Sequence, residues 1–236
     1  MADELLTAEE VADRIIEMVR ATTVGATRGD TAGLVMHGAY LRAFRRFARI
    51  REIAGAGAGD EAVILTRSLL SLVARAVWVD LPADKVERRT RWERYAKHHL
   101  VDRIKTLEGM QAVGFEIDQD VIDFDREQVG AVEHAKGFPS GRQLLEQLSL
   151  HVYYHRLYRL SSDYAHFSLG VAIDELRGAD EVTFERDDSE LADEALRMAI
   201  LTYGVFLHLS QRTIGHDLGA RALAVIQSSP AFSEVE

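Results

Sequence analysis

Proline occurs only three times in this chain of 236 residues, and that scarcity is the feature that most limits its fold. Pro82, Pro139 and Pro230 each lie in a stretch that already has the composition of a connection. A proline inside a helix removes a backbone hydrogen bond and clashes with the preceding turn, so the long intervals without proline are open to long helices. The sequence therefore predicts an all-α protein.

Apolar periodicity and capping residues predict where the helices lie. Thr7 followed by Glu10 has the pattern of a capping box at a helix start. In the second helix, Leu41, Phe44 and Phe47 are expected on the apolar side. The predicted helices are 7–20, 31–53, 60–79, 84–107, 120–135, 142–168 and one from 188 that breaks near 215 before a short last segment.

The third predicted helix is almost continuously apolar, which is typical of the central helix of a bundle. Arg67 and Arg75 are its exceptions, and each needs a partner if it is buried. Residues 169–187 predict a small hairpin or an ordered loop, because VTFERD has strand-like composition and ELRGADE has that of a turn. Since we find no internal repeat and no long linker, we expect a single domain over residues 1–236, a bundle of six to eight helices.

Composition narrows the classes of function. Cysteine is absent, which excludes disulfides, thiolate metal sites and cysteine nucleophiles. The N-terminal residues lack a basic segment followed by an apolar one, and no uninterrupted apolar run reaches about 18 residues. We therefore expect a cytoplasmic protein with no membrane span and no secretory signal. A net charge of −10 argues against a protein that coats nucleic acid non-specifically.

Charge is segregated along the chain. Basic residues cluster at 42–51 and 85–97, whereas acids gather at 116–127 and 187–194. These segments can pair with one another or face water. The segment RRTRWERYAKHH at 88–99 also interleaves cations with aromatic side chains, a pattern that suits stacking on nucleic acid bases.

The sixth predicted helix carries a polar stripe without lysine or glutamate. At about 100° per residue, six polar side chains fall within about one third of the helix circumference. These six are Tyr158, His151, Ser162, His155, His166 and Arg159. Such groups hydrogen-bond, titrate near neutral pH or hold anions, so the stripe predicts either a functional face or a buried network or dimer contact.

Metal binding is one interpretation of the stripe. His151 and His155 have the i, i+4 spacing that lets two imidazoles reach one ion. This pair is similar to the histidine pair of DinB-like helical bundles, which use a third, more distant histidine. That third ligand would here be His98 or His99. On this interpretation the protein is an enzyme that depends on one divalent metal ion.

Phosphate chemistry without a metal or other cofactor is a further interpretation. Arg159 and His166 are two helical turns apart, so they lie on one face about 10 Å apart at Cα and can converge on one phosphate. Arg159 would hold the anion, and His166 would act as acid or base. In RNA cleavage the nucleophile is the substrate's own 2′-hydroxyl, so these two groups can suffice. The other side chains that could bind or orient the phosphate are Arg67, Tyr95, Tyr158, Ser162, Asp163 and His155.

Some of these residues match the pattern of a known family. The stretches TRSLLSLVARAVWV, RWERYAKH and YRLSSDYAHFS resemble, in order and spacing, an all-helical bacterial family whose domain has no known function. Its pattern is an arginine on an apolar helix, a tryptophan, a tyrosine in the next helix, and then Y-x-x-x-S-x-x-x-H. The matching residues are Arg67, Trp78, Tyr95, Tyr158, Ser162 and His166. The resemblance covers about residues 60–210, and Ser71 stands where that family often has a glutamate.

The interval from Arg159 to His166 is also similar to the R-x4-6-H motif of HEPN domains. Those domains are helical bundles that dimerise so that two motifs line one cleft, and many of them cleave RNA without a metal. The similarity implies a homodimer that binds RNA or a nucleotide and has metal-independent ribonuclease activity. A non-enzymatic binding or dimerisation module and a histidine-ligated, metal-dependent enzyme are the alternatives.

Overall fold

The structure is a computed structural model that describes residues 6–24, 31–132, 137–150 and 188–232. The eight α-helices in these residues are α1 (Ala8–Ala21), α2 (Thr31–Gly55), α3 (Gly59–Asp80), α4 (Lys85–Ala112), α5 (Gln119–Ala131), α6 (Gly141–Gln147), α7 (Ser189–Ile214) and α8 (Leu218–Gln227). A 3-10 helix follows at Pro230–Phe232, and the described residues contain no strand. The predicted all-α bundle of six to eight helices is confirmed. The hairpin or loop predicted at 169–187 lies outside the described residues.

Capping contacts confirm the predicted starts of two helices. At α1, Thr7 Oγ1 accepts a hydrogen bond from the Glu10 N–H at 3.2 Å, and Glu10 Oε2 accepts one from the Thr7 N–H at 2.8 Å. At α4, the Asp84 carboxylate accepts a hydrogen bond from the Glu87 N–H at 3.0 Å. The predicted break after the long C-terminal helix is also confirmed, because Gly215 ends α7 in a left-handed conformation with a φ of 74°.

α3 is the central helix, as its composition predicts, and α2 and α7 pack along it. Near the start of α3, the Thr66 hydroxyl donates to the Ala195 carbonyl at 3.2 Å. At the other end, the Asp80 carboxylate accepts a hydrogen bond from the Thr213 hydroxyl. α3 and α7 therefore run parallel, and their C-terminal ends lie at the same end of the bundle.

α3 is also long and apolar enough to cross a membrane, judged by length and composition alone. In this fold, 61% of its most apolar window is buried inside the protein, where α2 and α7 pack against it. A central bundle helix and a membrane span share this composition because both are surrounded by apolar groups. Of the two arginines that interrupt α3, Arg67 is half-buried and Arg75 is exposed.

The buried face of α2 differs from the expected one. Phe47 is fully buried and Phe44 partly buried, but Leu41 is 57% exposed, so its predicted place on the apolar side is wrong. Residues three apart on a helix are offset by about 60°, so positions 41 and 47 lie about 120° apart and cannot share one narrow face. The face that packs on the core consists of Met36, Ala39, Tyr40, Ala43, Phe47, Ile50 and Ala54.

The sixth predicted helix is shorter than expected, because α6 ends at Gln147. Ser149 follows in the left-handed region with a φ of 57°. Its N–H donates to the Glu146 carbonyl at 3.1 Å, and the Leu150 N–H donates to the Leu145 carbonyl at 2.7 Å. This is a Schellman motif, which ends a helix by satisfying its last carbonyls, and the two leucines pack in one apolar cluster. Glycine usually occupies the position of Ser149, so the break has no glycine signal in the sequence.

α4 and α5 form a helical hairpin beside the core. α4 is the longest described helix and buries none of its residues. It ends at residue 112 and not near 107, and α5 folds back along it. Asp125 on α5 is almost fully buried and faces Arg103 of α4, with 3.2 Å between Oδ2 and Nε. The outer side of the hairpin carries Phe115 and Phe124, which are 58% and 59% exposed.

Candidate functional site

The structure describes two of the residues that the sequence predicts to bind or catalyse, Arg67 and Tyr95. The others, His151, His155, Tyr158, Arg159, Ser162, Asp163 and His166, lie outside the described residues. Leu150 is the last described residue before the predicted stripe, and it packs against an apolar cluster around Trp78. The helices that meet at this cluster therefore form the described side of the candidate site.

The Trp78 cluster joins α3, α6 and α7. Its buried members are Leu70, Ala74, Trp78, Val79, Leu144, Leu145 and Met198. Trp78 is 1% exposed, and its indole Nε1–H donates to Oε1 of Gln147 at 2.6 Å. A buried indole N–H needs an acceptor, and the glutamine at the end of α6 supplies it. This bond orients the indole face toward α4.

Two arginines of α4 lie over the Trp78 ring. The guanidinium carbons of Arg91 and Arg94 are 4.9 Å and 5.2 Å from the ring centroid, within the range of a cation–π contact. Arg91 Nη1 also donates to the Trp78 carbonyl at 3.0 Å. Phe138 meets the same ring edge-on at 5.3 Å. The cluster thus ends in a layer of two cations and an aromatic ring.

Aromatic contacts continue from this layer along α4. Phe138 lies edge-on to Tyr95 at 5.7 Å and stacks on the His98 ring at 4.9 Å. Tyr95 in turn lies parallel to His99, with 6.5 Å between ring centroids. His98 Nε2 is 3.3 Å from a carboxylate oxygen of Asp102. His98 and His99, the predicted alternatives for a third metal ligand, are therefore both part of a ring stack, and no group of three or more metal-ligating side chains occurs within the described ranges.

Arg67 and Tyr95 both lie near this cluster. Tyr95 packs against it, and Leu70, a buried member, follows Arg67 by three residues on α3. Arg67, Ser71 and Arg75 recur every four residues and share one side of α3. Ser71 and Arg75 line a cavity of about 40 Å³ between α3 and α6. The structure thus places Tyr95 against the Trp78 cluster and Arg67 on α3, one turn before the buried Leu70.

The cations of the 88–99 segment are largely engaged with protein atoms. Arg94 donates to the Gly137 carbonyl through Nε at 3.2 Å and Nη2 at 2.7 Å. Lys97 donates to the Val132 carbonyl at 3.0 Å, and Arg91 Nε donates to Glu87 at 2.8 Å. The Arg94 and Lys97 bonds attach α4 to the end of α5 and the chain that follows it, and the Arg91 bond to the Trp78 carbonyl attaches α4 to α3. The segment therefore helps to hold the fold together, and the N–H donors of its cations that have no protein acceptor can meet a ligand.

A second polar network, which the sequence did not predict, lies where α3 and α7 end. Asp80 is 2% exposed, and its carboxylate accepts hydrogen bonds from Arg88 of α4 and Thr213 of α7. Arg212 Nη2 donates to the Asp80 carbonyl at 3.2 Å. An acid in the last turn of an apolar helix is the one sequence signal for such a network, because a buried carboxylate must be paired. A cavity of about 200 Å³ opens beside it, lined by Met36, Val77, Asp80, Leu81, His208, Leu209, Gln211 and Arg212.

Three titratable groups of the core have shifted pKa values, Tyr40, Tyr203 and His216. Burial raises the pKa of the Tyr203 phenol. Burial raises the pKa of the Tyr40 phenol to about 12. Its ring lies 5.5 Å from that of His216, whose pKa is lowered, chiefly by burial. Nδ1 of His216 accepts a hydrogen bond from the Leu218 N–H at 3.3 Å, which requires that nitrogen to be unprotonated. These groups thus couple the core to pH at the junction of α7 and α8.

Comparison with known proteins finds one family. The model of a family of unknown function (DUF5677) matches residues 33–181, a range that includes Arg67, Tyr95, Arg159 and His166. No curated protein and no solved structure matches the chain significantly. The HEPN-like motif and the Y-x-x-x-S-x-x-x-H motif stay predictions.

Proposed function

The chain belongs to the family of unknown function DUF5677, a description that assigns no activity, and we propose from its own residues that it binds an RNA or nucleotide phosphate and cleaves RNA without a metal. Arg159 holds the phosphate and His166 moves the proton. Tyr158 and Ser162 orient these two groups. The assignment to an enzyme and its HEPN-like character are part of this proposal.

The cation pair over Trp78 is the observation that supports phosphate binding best. Arg91 and Arg94 are both held at a buried indole, next to the cluster against which Leu150 packs before the predicted stripe. A guanidinium carries five N–H donors. Among the described contacts, Nη2 of Arg91 and Nη1 of Arg94 donate to no protein atom. Two fixed guanidiniums with remaining donors suit an anion of phosphate size.

The chemistry requires one proton removed and one returned. A base takes the proton of the 2′-hydroxyl, and the 2′-oxygen attacks phosphorus while the bond from phosphorus to the 5′-oxygen breaks. The leaving 5′-oxygen takes a proton from an acid, so the products are a 2′,3′-cyclic phosphate and a 5′-hydroxyl. His166 fills the acid or base role, and Arg159 stabilises the charge that develops on the phosphoryl oxygens.

The test measures RNA binding and cleavage in the same samples. Fluorescence anisotropy with a labelled single-stranded RNA should show binding that weakens as salt rises, since phosphate contacts release counterions. With EDTA present, wild-type protein should cleave the RNA, and a single 2′-deoxy nucleotide should block cleavage at its position. His166→Ala should abolish cleavage but keep binding, and Arg159→Ala should reduce both.

Arg221→Ala is the matched control, because Arg221 is an exposed arginine of α8 that pairs with Asp217 at the start of the same helix. It should leave binding and cleavage unchanged. RNA that stays intact with and without divalent ions, and no anisotropy change at low salt, would overturn the proposal. Cleavage that needs a divalent ion would instead support the metal-dependent alternative with His151 and His155 as ligands.

A non-enzymatic binding module is the second candidate, and one observation favours it. Arg94 donates hydrogen bonds to the Gly137 carbonyl and Lys97 donates one to the Val132 carbonyl, so these cations contact protein atoms. On this reading the polar stripe meets protein and not a ligand. RNA binding equal in wild type and in Arg159→Ala, with no cleavage, would distinguish this module from the enzyme.

A further inference from the structure

α2 presents an exposed stripe of two leucines and three arginines. Leu34 and Leu41 are 61% and 57% exposed. At about 100° per residue they share one side of the helix with Arg42, Arg45 and Arg49. Arg49 pairs with a glutamate on its own helix, whereas Arg42 and Arg45 are exposed and have no acidic partner among the described residues. We call these five residues the basic stripe.

α5 presents a stripe of the opposite charge. Asp120, Asp123, Phe124 and Glu127 follow the i, i+3, i+4, i+7 pattern of one helix side. Phe124 is 59% exposed, and the opposite side of α5 is buried against α4. Asp123 pairs with Arg126 at 2.8 Å. Asp120 and Glu127 are exposed and form no ion pair with any described residue. We call these four residues the acidic stripe.

We propose that the basic stripe of one copy docks against the acidic stripe of a second copy, so that the chain forms a two-fold homodimer with two such contacts. Arginines of each copy would face the carboxylates of the other, and the exposed leucines would cover Phe124. Large apolar side chains grouped with complementary charges are typical of protein interfaces. This inference does not rest on phosphate binding.

We infer a second copy as the partner because the two stripes are complementary in charge and, among the described residues, no ion pair joins them within one chain. α5 packs on α4 and its inner acid, Asp125, faces Arg103. Arg51 of α2 pairs with Glu9 and Asp13 of α1 at 3.0 Å and 2.9 Å, and Arg46 donates to the Ser68 carbonyl of α3 at 2.9 Å. Each copy therefore offers one stripe of each sign, which is what a self-complementary two-fold interface requires. The absence of buried residues in α4 also places the hairpin at the outside of a single copy.

The test is a set of charge reversals followed by light scattering after size exclusion and by sedimentation velocity at low salt. Wild type should have twice the chain mass of 26.4 kDa and should dissociate as salt rises. Arg42→Glu with Arg45→Glu, and separately Asp120→Lys with Glu127→Lys, should each raise the dimer dissociation constant at least about 100-fold. Mixing these two double variants should restore a dimer, because every contact in the mixed pair again joins opposite charges. The quadruple variant should also dimerise.

Matched controls make the same charge changes elsewhere on the exposed surface. Arg14→Glu with Arg20→Glu on α1, and Glu17→Lys with Glu190→Lys, should leave the mass unchanged, and circular dichroism should confirm that all variants are folded. A monomeric wild type at low salt would overturn the proposal. So would a dimer that survives both reversals, an equal effect of the controls, or a mixture that stays monomeric.

Discussion

The indole N–H of Trp78 donates to Oε1 of Gln147 at 2.6 Å, and this bond joins the central helix α3 to the last turn of α6. It fixes the orientation of a ring that is 1% exposed and carries two arginines on its outer side. The chain leaves α6 two residues later, at the left-handed Ser149. The geometry at Trp78 therefore sets the position of the cation pair.

Replacing Gln147 by leucine should destabilise the protein. The buried indole N–H of Trp78 would lose its acceptor, which costs about 1–3 kcal/mol in free energy of unfolding. Gln147→Glu keeps an acceptor oxygen and should cost less. Urea unfolding followed by tryptophan fluorescence measures both, and equal stability of Gln147→Leu and wild type would contradict a structural role for the bond.

Asp80→Asn should be among the most damaging single changes. The Asp80 and Arg88 side chains are 4% and 16% exposed, so the change removes a charged acceptor from a poorly solvated guanidinium. Removing one member of a buried pair costs about 3–5 kcal/mol. Glu93→Gln breaks the exposed pair with Arg89 and should cost less than about 1 kcal/mol. Thermal unfolding compares the two variants. Similar melting temperatures would show that the buried Asp80 pair stabilises the fold no more than the exposed pair does.

Tyr40 should make the protein sensitive to alkali. Its pKa is raised to about 12 in the fold, whereas a free tyrosine has a pKa of about 10. The unfolded chain therefore loses its proton first, so stability is full below about pH 10 and falls by about 2–3 kcal/mol as pH rises toward 12. Tyr40→Phe should reduce this loss but not abolish it, because burial also raises the pKa of Tyr203. Stability near neutral pH should be unchanged or higher, because the Tyr40 hydroxyl has no hydrogen-bond partner among the described residues. Urea titrations at pH 8 and pH 11 test this.

His216 should make a contribution to the free energy of unfolding that is lost in acid. Its pKa is lowered in the fold, so the unfolded chain takes up a proton more readily. The stabilisation is therefore present above the unfolded pKa of about 6.5 and is lost as pH falls through the folded pKa. His216→Asn offers an amide oxygen to the Leu218 N–H without titrating, so its stability should change less between pH 7.5 and pH 5. An identical pH profile for variant and wild type would refute the assignment.

Ser149→Gly should stabilise the chain. An L-residue in the left-handed region costs about 1 kcal/mol, and glycine avoids this cost. Ser228 follows α8 in the right-handed region with a φ of −77°. Ser228→Gly therefore serves as a control that should not raise the stability. Differential scanning calorimetry would show a higher melting temperature for Ser149→Gly alone.

Local sequence signals determined the class of fold and several helix boundaries. The rarity of proline, the capping box at Thr7 and Glu10 and the glycine at 215 act over a few residues, so they can be read without knowing what packs nearby. The apolar run of α3 likewise indicated a helix surrounded by apolar groups, and the packing of α2 and α7 against it makes it the central helix. Membership in a family of unknown function was also predicted from short motifs and is confirmed.

Only the tertiary structure decided which distant residues the buried polar side chains contact. The sequence shows that a buried Trp78 needs a hydrogen-bond acceptor. It does not show that Gln147 is that acceptor, because 69 residues separate the two. Asp80 meets Thr213 across 133 residues. Ser149 follows α6 in the left-handed region where Leu145 and Leu150 pack in the Trp78 cluster. Such contacts depend on which surfaces the folded chain brings together, and no local pattern encodes that. The same holds for the cations at 88–99, whose charge suggested nucleic acid but whose hydrogen bonds go largely to carbonyls and carboxylates of the protein itself.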